Sequence, residues 1–213
     1  MAKAVVSWKT ARLTREDVAL LEPGQWLNDA AIGFWLEYLA SAPEPEGLGS
    51  RPDVLLVDPA AGFWICIEED AEDLQDGLDP LDLPSRSLVV VPVNDRAERG
   101  SDGGSHWSVL ALQRDEGDAV RAFYFDSMGT SNLPQARQIA RKMVPAMCPG
   151  STQSEVRVCD AGKQDNSCDC GVFSLLFAEA LARGTDPASA TPGQASALRR
   201  RMHETVWRLA KGR

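Results

Sequence analysis

Apolar residues come in short, strongly patterned groups along this chain. Leu88 to Val93 is a nearly continuous apolar run, the pattern of a strand buried on both faces. Trp107 to Leu112 and Val120 to Phe125 read as two more strands, joined by the polar, glycine-containing stretch Gln113 to Ala119. Shorter strand-like pieces fall at Ala4 to Trp8, Val54 to Val57 and Val156 to Val158. Elsewhere the spacing turns helical. Ile32, Trp35, Leu36 and Leu39 line one face of a helix that Asn28 or Asp29 can cap. Thr14-Arg-Glu-Asp17 has the form of a capping box opening a short helix before Pro23-Gly24. Asp58-Pro59 offers a cap and a first-turn proline for another. Ser41 to Pro52 is loop, and Pro134 to Met147, Cys170 to Ala182 and the basic-faced residues 194–211 complete the helices. Helices gather at both ends around a strand-rich middle, which predicts an α+β fold rather than alternating α/β.

The 213 residues fit one domain spanning 1–213. The formal charge of −9 argues against a general nucleic-acid binder and against anionic membrane surfaces, both of which select basic faces. There is no apolar run of about 18 residues to span a membrane and no apolar signal-peptide core, so a cytoplasmic or nuclear location is expected. In that setting Cys66, Cys148, Cys159, Cys168 and Cys170 read as free thiols. The run from Glu68 to Asp79 carries seven acids. A solvated helix face is the expectation there, and a docking surface for a basic partner is the alternative.

The chain holds only two histidines, so any imidazole chemistry has two candidates. His106 begins one strand of the predicted hairpin and Asp126 ends the next. Midway between them is residue 116, inside the Asp115-Glu116-Gly117-Asp118 turn. A hairpin closed symmetrically there sets His106 directly opposite Asp126, on one face. A carboxylate so placed orients the ring and stabilises its protonated form. His203 is the poorer base, lying between Arg199-Arg-Arg201 and Glu204 on the terminal helix.

Cys170 stands at the mouth of an apolar helix, where the dipole favours a thiolate and a nearby imidazolium favours it further. Gly171 would let a substrate backbone come close. Gln164 carries an amide suited to a developing oxyanion. Each feature alone has an ordinary structural explanation. Together they supply nucleophile, base, orienting acid and oxyanion donor. Cys168-Asp-Cys170 lacks a second Cys or His pair, so no metal is expected, and Cys168 reads as structural or as a resolving partner for an oxidised Cys170. Gly100 to Gly104 lacks the Lys-Ser/Thr of a phosphate loop, and no cofactor is expected.

Trp26-Leu-Asn-Asp29, Ser105-His-Trp-Ser108, Tyr124-Phe-Asp-Ser127 and Gln-x-Asn-x-x-Asp-Cys-Gly at 164–171 resemble the sentrin/SUMO-specific protease family. The resemblance runs from about residue 4 to the final helix. It is nearest to the deneddylase branch, through Trp26 to Phe34, Pro80 to Pro84 and Gly103 to Ser108. It implies a papain-like cysteine protease fold, with a central, mainly antiparallel sheet flanked by helices, and a triad in the order His, Asp, Cys. His106 then matches the general base, Asp126 the orienting acid, Cys170 the nucleophile and Gln164 the oxyanion donor. Trp26 and Trp107 match the walls of a tunnel for a terminal Gly-Gly, with core packing as the alternative for each. Asp29 matches a position near the modifier's tail, or else caps its helix. Two features depart from the family pattern: Cys168 stands where an aromatic is frequent, and the loop from Arg96 to Gly104 is long and charged.

The expectation is a monomeric thiol protease cleaving after the Gly-Gly of a ubiquitin-like modifier, of the Nedd/Rub type, in precursor processing, isopeptide deconjugation or both. The alternatives are a SUMO protease with the same chemistry, a non-catalytic modifier-binding module, and an acyltransferase using a similar Cys-His pair.

Overall fold

In a computed structural model, which describes residues 3–96, 104–151 and 155–212, the N-terminal segment folds as a ribbon. Strand β1 (Ala4–Trp8) pairs antiparallel with β2 (Ala11–Thr14), turning through Lys9 in a left-handed conformation. Thr14 closes the expected capping box with Asp17 on helix α1 (Arg15–Ala19). Helix α2 (Asp29–Ser41) is capped by Asn28, whose Oδ1 accepts from the Ala31 amide at 2.9 Å. That assignment leaves the Asp29 carboxylate free for another use.

Strand β3 (Val54–Leu56) leads to α3 (Pro59–Ile67), capped by Asp58 as its sequence predicts. Of the acidic run, Glu72, Asp73 and Asp76 are exposed on α4 (Ala71–Leu78), and Asp70 caps it. Strands β4 (Leu88–Asn94), β5 (Trp107–Arg114) and β6 (Val120–Phe125) follow, then α5 (Leu133–Met147) and β7 (Val156–Val158). Helix α6 (Cys170–Arg183) ends at left-handed Gly184, and α7 (Pro192–Lys211) opens on a capping box between Thr191 and Gln194. Among the described residues, no helix is long and apolar enough to cross a membrane.

The five-stranded sheet has the order β3-β4-β5-β6-β7. Its three central strands run antiparallel, while β3 and β7 add parallel edges. The sheet is therefore mixed, with an antiparallel centre, in an α+β fold. Alternation along β5 divides the core. Val109 and Ala111 pack with Phe34 of α2 and Phe173 and Phe177 of α6, and Leu110 and Leu112 pack with Ile139 and Met143 of α5. A central strand covered on both faces needs apolar residues at every position, which explains the continuous runs.

The hairpin closes one residue later than its symmetric reading. Pairs from Val109↔Phe125 to Arg114↔Val120 centre on Gly117, not residue 116. The turn extends through Asp118, which takes a left-handed φ of 62°, and the Asp115 amide donates to the Ala119 carbonyl at 2.9 Å. Continuing this register sets Ser108 opposite Asp126, with His106 two residues beyond. A displacement of two positions preserves the face, so both groups still meet.

Candidate active site

His106 immediately precedes β5 and Asp126 immediately follows β6, at the same end of the sheet. The His106 Nε2 lies 2.8 Å from Asp126 Oδ1, and both residues are buried. Asp126 is heavily solvated by protein donors. The Tyr124 hydroxyl donates to Oδ2 at 2.6 Å, and the amides of Met128 and Gly129 donate to Oδ1 at 2.8 and 3.1 Å. Burial on its own would raise the Asp126 carboxyl. The hydrogen bonds from His106, Tyr124 and Met128 prevail and hold it below its ordinary value. Burial likewise opposes the charged form of His106, but the hydrogen bonds to Asp126 and Cys170 push the imidazole up to about 9. Tyr124 is pushed upward, first by burial and then by its bond to Asp126, so it remains a donor.

Cys170 is the first residue of α6 and is buried, within hydrogen-bonding reach of His106. Because Nε2 faces Asp126, the second ring nitrogen is the one left for the thiol. His106, Asp126 and Cys170 thus come together from three separate segments. The closeness of Gly171 serves the protein itself. A Cβ there would meet Leu27 Cβ at 3.1 Å and Trp107 Cδ1 at 3.4 Å. This glycine seats α6 against Leu27 and Trp107.

Gln164 is fixed between Ser127 and Asn166. Its Oε1 accepts from the Ser127 hydroxyl at 2.6 Å, and its Nε2 donates to the Asn166 carbonyl at 2.6 Å. One of its two amide hydrogens is engaged there, leaving the other available. Trp107 is buried and donates from Nε1 to the Leu27 carbonyl at 3.1 Å, whereas Trp26 stands 49% exposed. The indole of one tryptophan therefore pins the segment carrying the other. Asp29 is exposed at the head of α2, yet the surrounding protein desolvates its carboxyl and raises it, with Arg96 opposing and Asp58 reinforcing. The Arg96 guanidinium packs 4.7 Å from the Phe63 ring centroid. Residues 97–103, including Gly103 and most of the long charged loop, lie outside the described residues.

Several residues that shape this site carry no strong local signal. Asp95 accepts from the amides of Ser105 and His106 at 2.6 and 3.0 Å. Asn94 and Asn132 both donate to the His106 carbonyl, at 3.2 and 3.1 Å. Asn132 is fully buried and also donates to Val93 O at 3.0 Å. An Asn-Asp pair closing an apolar strand was the available hint, since neither residue favours a strand. Arg199 belongs to the basic run of the terminal helix, but it is buried rather than part of a solvated face. His203 sits on the outer side of that helix, bonded to Trp207 Nε1 at 3.0 Å.

Comparison with known proteins places the whole chain among relatives of one kind. Residues 25–208 match the family described as Ulp1 protease family, C-terminal catalytic domain. Sentrin-specific protease 8 of Rattus norvegicus is 31% identical over 99% of this chain and 97% of its own. NEDD8-specific protease 1 of Arabidopsis thaliana is 31% identical over 83% of this chain and 74% of its own. The fold is shared with the yeast Ulp1 protease domain solved in complex with Smt3, at a TM-score of 0.72 and 15% identity, covering 99% of this chain and 89% of that one.

Proposed function

The chain belongs to the Ulp1 protease family and is a cysteine-type peptidase acting on ubiquitin-like modifiers, and we propose that its substrate is a modifier of the Nedd/Rub type, cleaved after its terminal Gly-Gly. The observation that carries the chemistry is the 2.8 Å pair of His106 and Asp126 beside Cys170 at the head of a helix. Likeness to the sentrin-specific and NEDD8-specific proteases over most of the chain supports the modifier type.

In the proposed reaction, the Cys170 thiol gives its proton to His106, and the sulfur attacks the carbonyl carbon of the last glycine. The oxyanion is received by the Cys170 amide at the positive end of α6 and by the Gln164 side-chain amide. Collapse breaks the C–N bond as His106 protonates the departing amine, leaving a thioester. Water then attacks with His106 as base, releasing the glycine carboxylate and restoring the thiol. Asp126 keeps the imidazole oriented and stabilises its charged form throughout.

Trp26 and Trp107 form the walls of the approach. Glycine alone is thin enough for a narrow aromatic slot, so the walls exclude tails with larger side chains. Asp29, with its raised carboxyl, lies where the tail enters. A modifier precursor and an isopeptide conjugate present the same tail, so one site serves both processing and deconjugation.

The test is cleavage of C-terminally extended precursors of Nedd, SUMO and ubiquitin, read by intact mass. Removal of the extension after Gly-Gly from the Nedd precursor, and its absence in Cys170→Ala, is expected. Preferential cleavage of the SUMO precursor would keep the mechanism and reverse the substrate assignment.

A further inference from the structure

The segment before Cys170 ends on Asp169, a residue type favoured as a helix cap. Yet its side chain makes no capping hydrogen bond to α6. Arg199 of α7 takes the carboxylate instead. Its Nε donates to Asp169 Oδ1 at 2.8 Å, and its Nη2 lies 2.7 Å from the same oxygen. The two side chains are 4% and 10% exposed, so the pair is withdrawn from water.

The remaining donors of Arg199 go to backbone carbonyls. Nη1 reaches Leu20 O at 3.0 Å and Glu22 O at 3.2 Å, and Nη2 reaches Gln25 O at 2.6 Å and Cys168 O at 3.3 Å. One guanidinium therefore joins the loop leading to Trp26, the loop leading to Cys170, and α7. Asn166 holds the carboxylate from the other side, donating to Asp169 Oδ2 at 2.9 Å.

A buried ion pair is weak evidence for stability, because desolvation offsets the attraction. Its position matters more here. A carboxylate capping α6 would accept from amides of the first helical turn, beside the sulfur of the first helical residue. There it would cancel the positive end of the helix dipole, which favours a thiolate and a developing oxyanion at this place.

We propose that Arg199 is a positioning residue of the active site: it holds the Asp169 carboxylate away from the N-terminus of α6, reserving that positive potential for the Cys170 sulfur and the oxyanion. Arg199 acts through Asp169 and touches no reacting atom. The inference rests on Cys170 being the nucleophile.

The experiment is alkylation by iodoacetamide, read at Cys170 by tandem mass spectrometry across a range of pH. Wild type, Arg199→Met, Asp169→Ala and the double variant are compared, with thermal unfolding followed in parallel. Arg199→Met is expected to slow alkylation near neutrality by about ten-fold, as a charge placed at a helix end can do, and to move the profile to higher pH. Removing the carboxylate as well is expected to return the rate to within about three-fold of wild type, since the freed charge is then gone. A purely structural role predicts that the alkylation rate follows the unfolding temperature through all four proteins, recovering in the double variant only as far as stability does, and that result, or a double variant as slow as Arg199→Met, would overturn the proposal. So would an Arg199→Met protein with the wild-type profile. If Arg199→Met does not fold, Arg199→Gln with and without Asp169→Asn makes the same comparison with polar side chains. Iodoacetamide needs no modifier, so an error in the substrate assignment leaves this test intact.

Discussion

Asp126 meets His106 through Nε2 at 2.8 Å, although the two residues are not directly opposed in the hairpin that carries them. The carboxylate also receives one hydroxyl and two amides, so it is held rigidly against the imidazole. Asp126→Ala should therefore lower kcat by about 10²–10⁴, the range lost when acid–base catalysis is disabled. Steady-state hydrolysis of a coumarin amide of the modifier measures this, and a wild-type rate would remove Asp126 from the mechanism.

The raised imidazole has a signature in stability. His106 moves from 6.5 to about 9, with burial opposing the shift and the bonds to Asp126 and Cys170 carrying it. A group raised in the folded state contributes fully below its unfolded value and loses that contribution as pH rises through the folded one. The stability advantage of wild type over His106→Gln should thus be largest below pH 6.5 and fade toward pH 9. Urea unfolding at several pH values reads the difference, and an advantage that grows with pH would contradict it.

Asn132 is a structural support for His106 that a folding assay can isolate. Its buried amide serves the carbonyls of Val93 and His106. Asn132→Ala should cost about 1–3 kcal/mol of stability, the penalty for leaving buried polar groups without partners, and should lower turnover as well. Denaturant titration together with kinetics checks both effects. Unchanged stability would mean that water replaces the amide.

Cys168 is half-buried, with its Sγ 3.2 Å from Asn166 Oδ1. Burial and the neighbouring Asp169 both raise its thiol, which disfavours the thiolate. Cys168→Ser should keep activity within about two- to three-fold under reducing conditions, as surface-proximal substitutions without buried partners do. Complete loss would assign this thiol a role in turnover.

Local signals carried much of this fold into view. The caps at Thr14, Asn28 and Asp58 and the doubly covered strands β4 and β5 are set by neighbours in sequence, and such neighbours are readable. His106, Asp126 and Cys170 were legible because each sits at the end of a readable element. The register was less so, because a left-handed Asp118 lengthens the turn and no hydrophobic pattern records that. The parallel pairings of β3 and β7 and the burial of Arg199 were hidden for a different reason. They depend on segments far apart in the chain, such as Arg199 with Leu20 and Asp169. An arginine in a basic run looks solvated until the partner loops are placed around it.

The central claim is that Cys170 attacks the terminal glycine of a Nedd-type modifier. Its most direct test is covalent labelling with Nedd, SUMO and ubiquitin probes bearing a C-terminal electrophile, read by intact mass. The account predicts one adduct with the Nedd probe, located on Cys170 and absent from Cys170→Ala. An adduct with the SUMO probe alone would contradict the modifier assignment, and labelling that persists in Cys170→Ala would contradict the nucleophile.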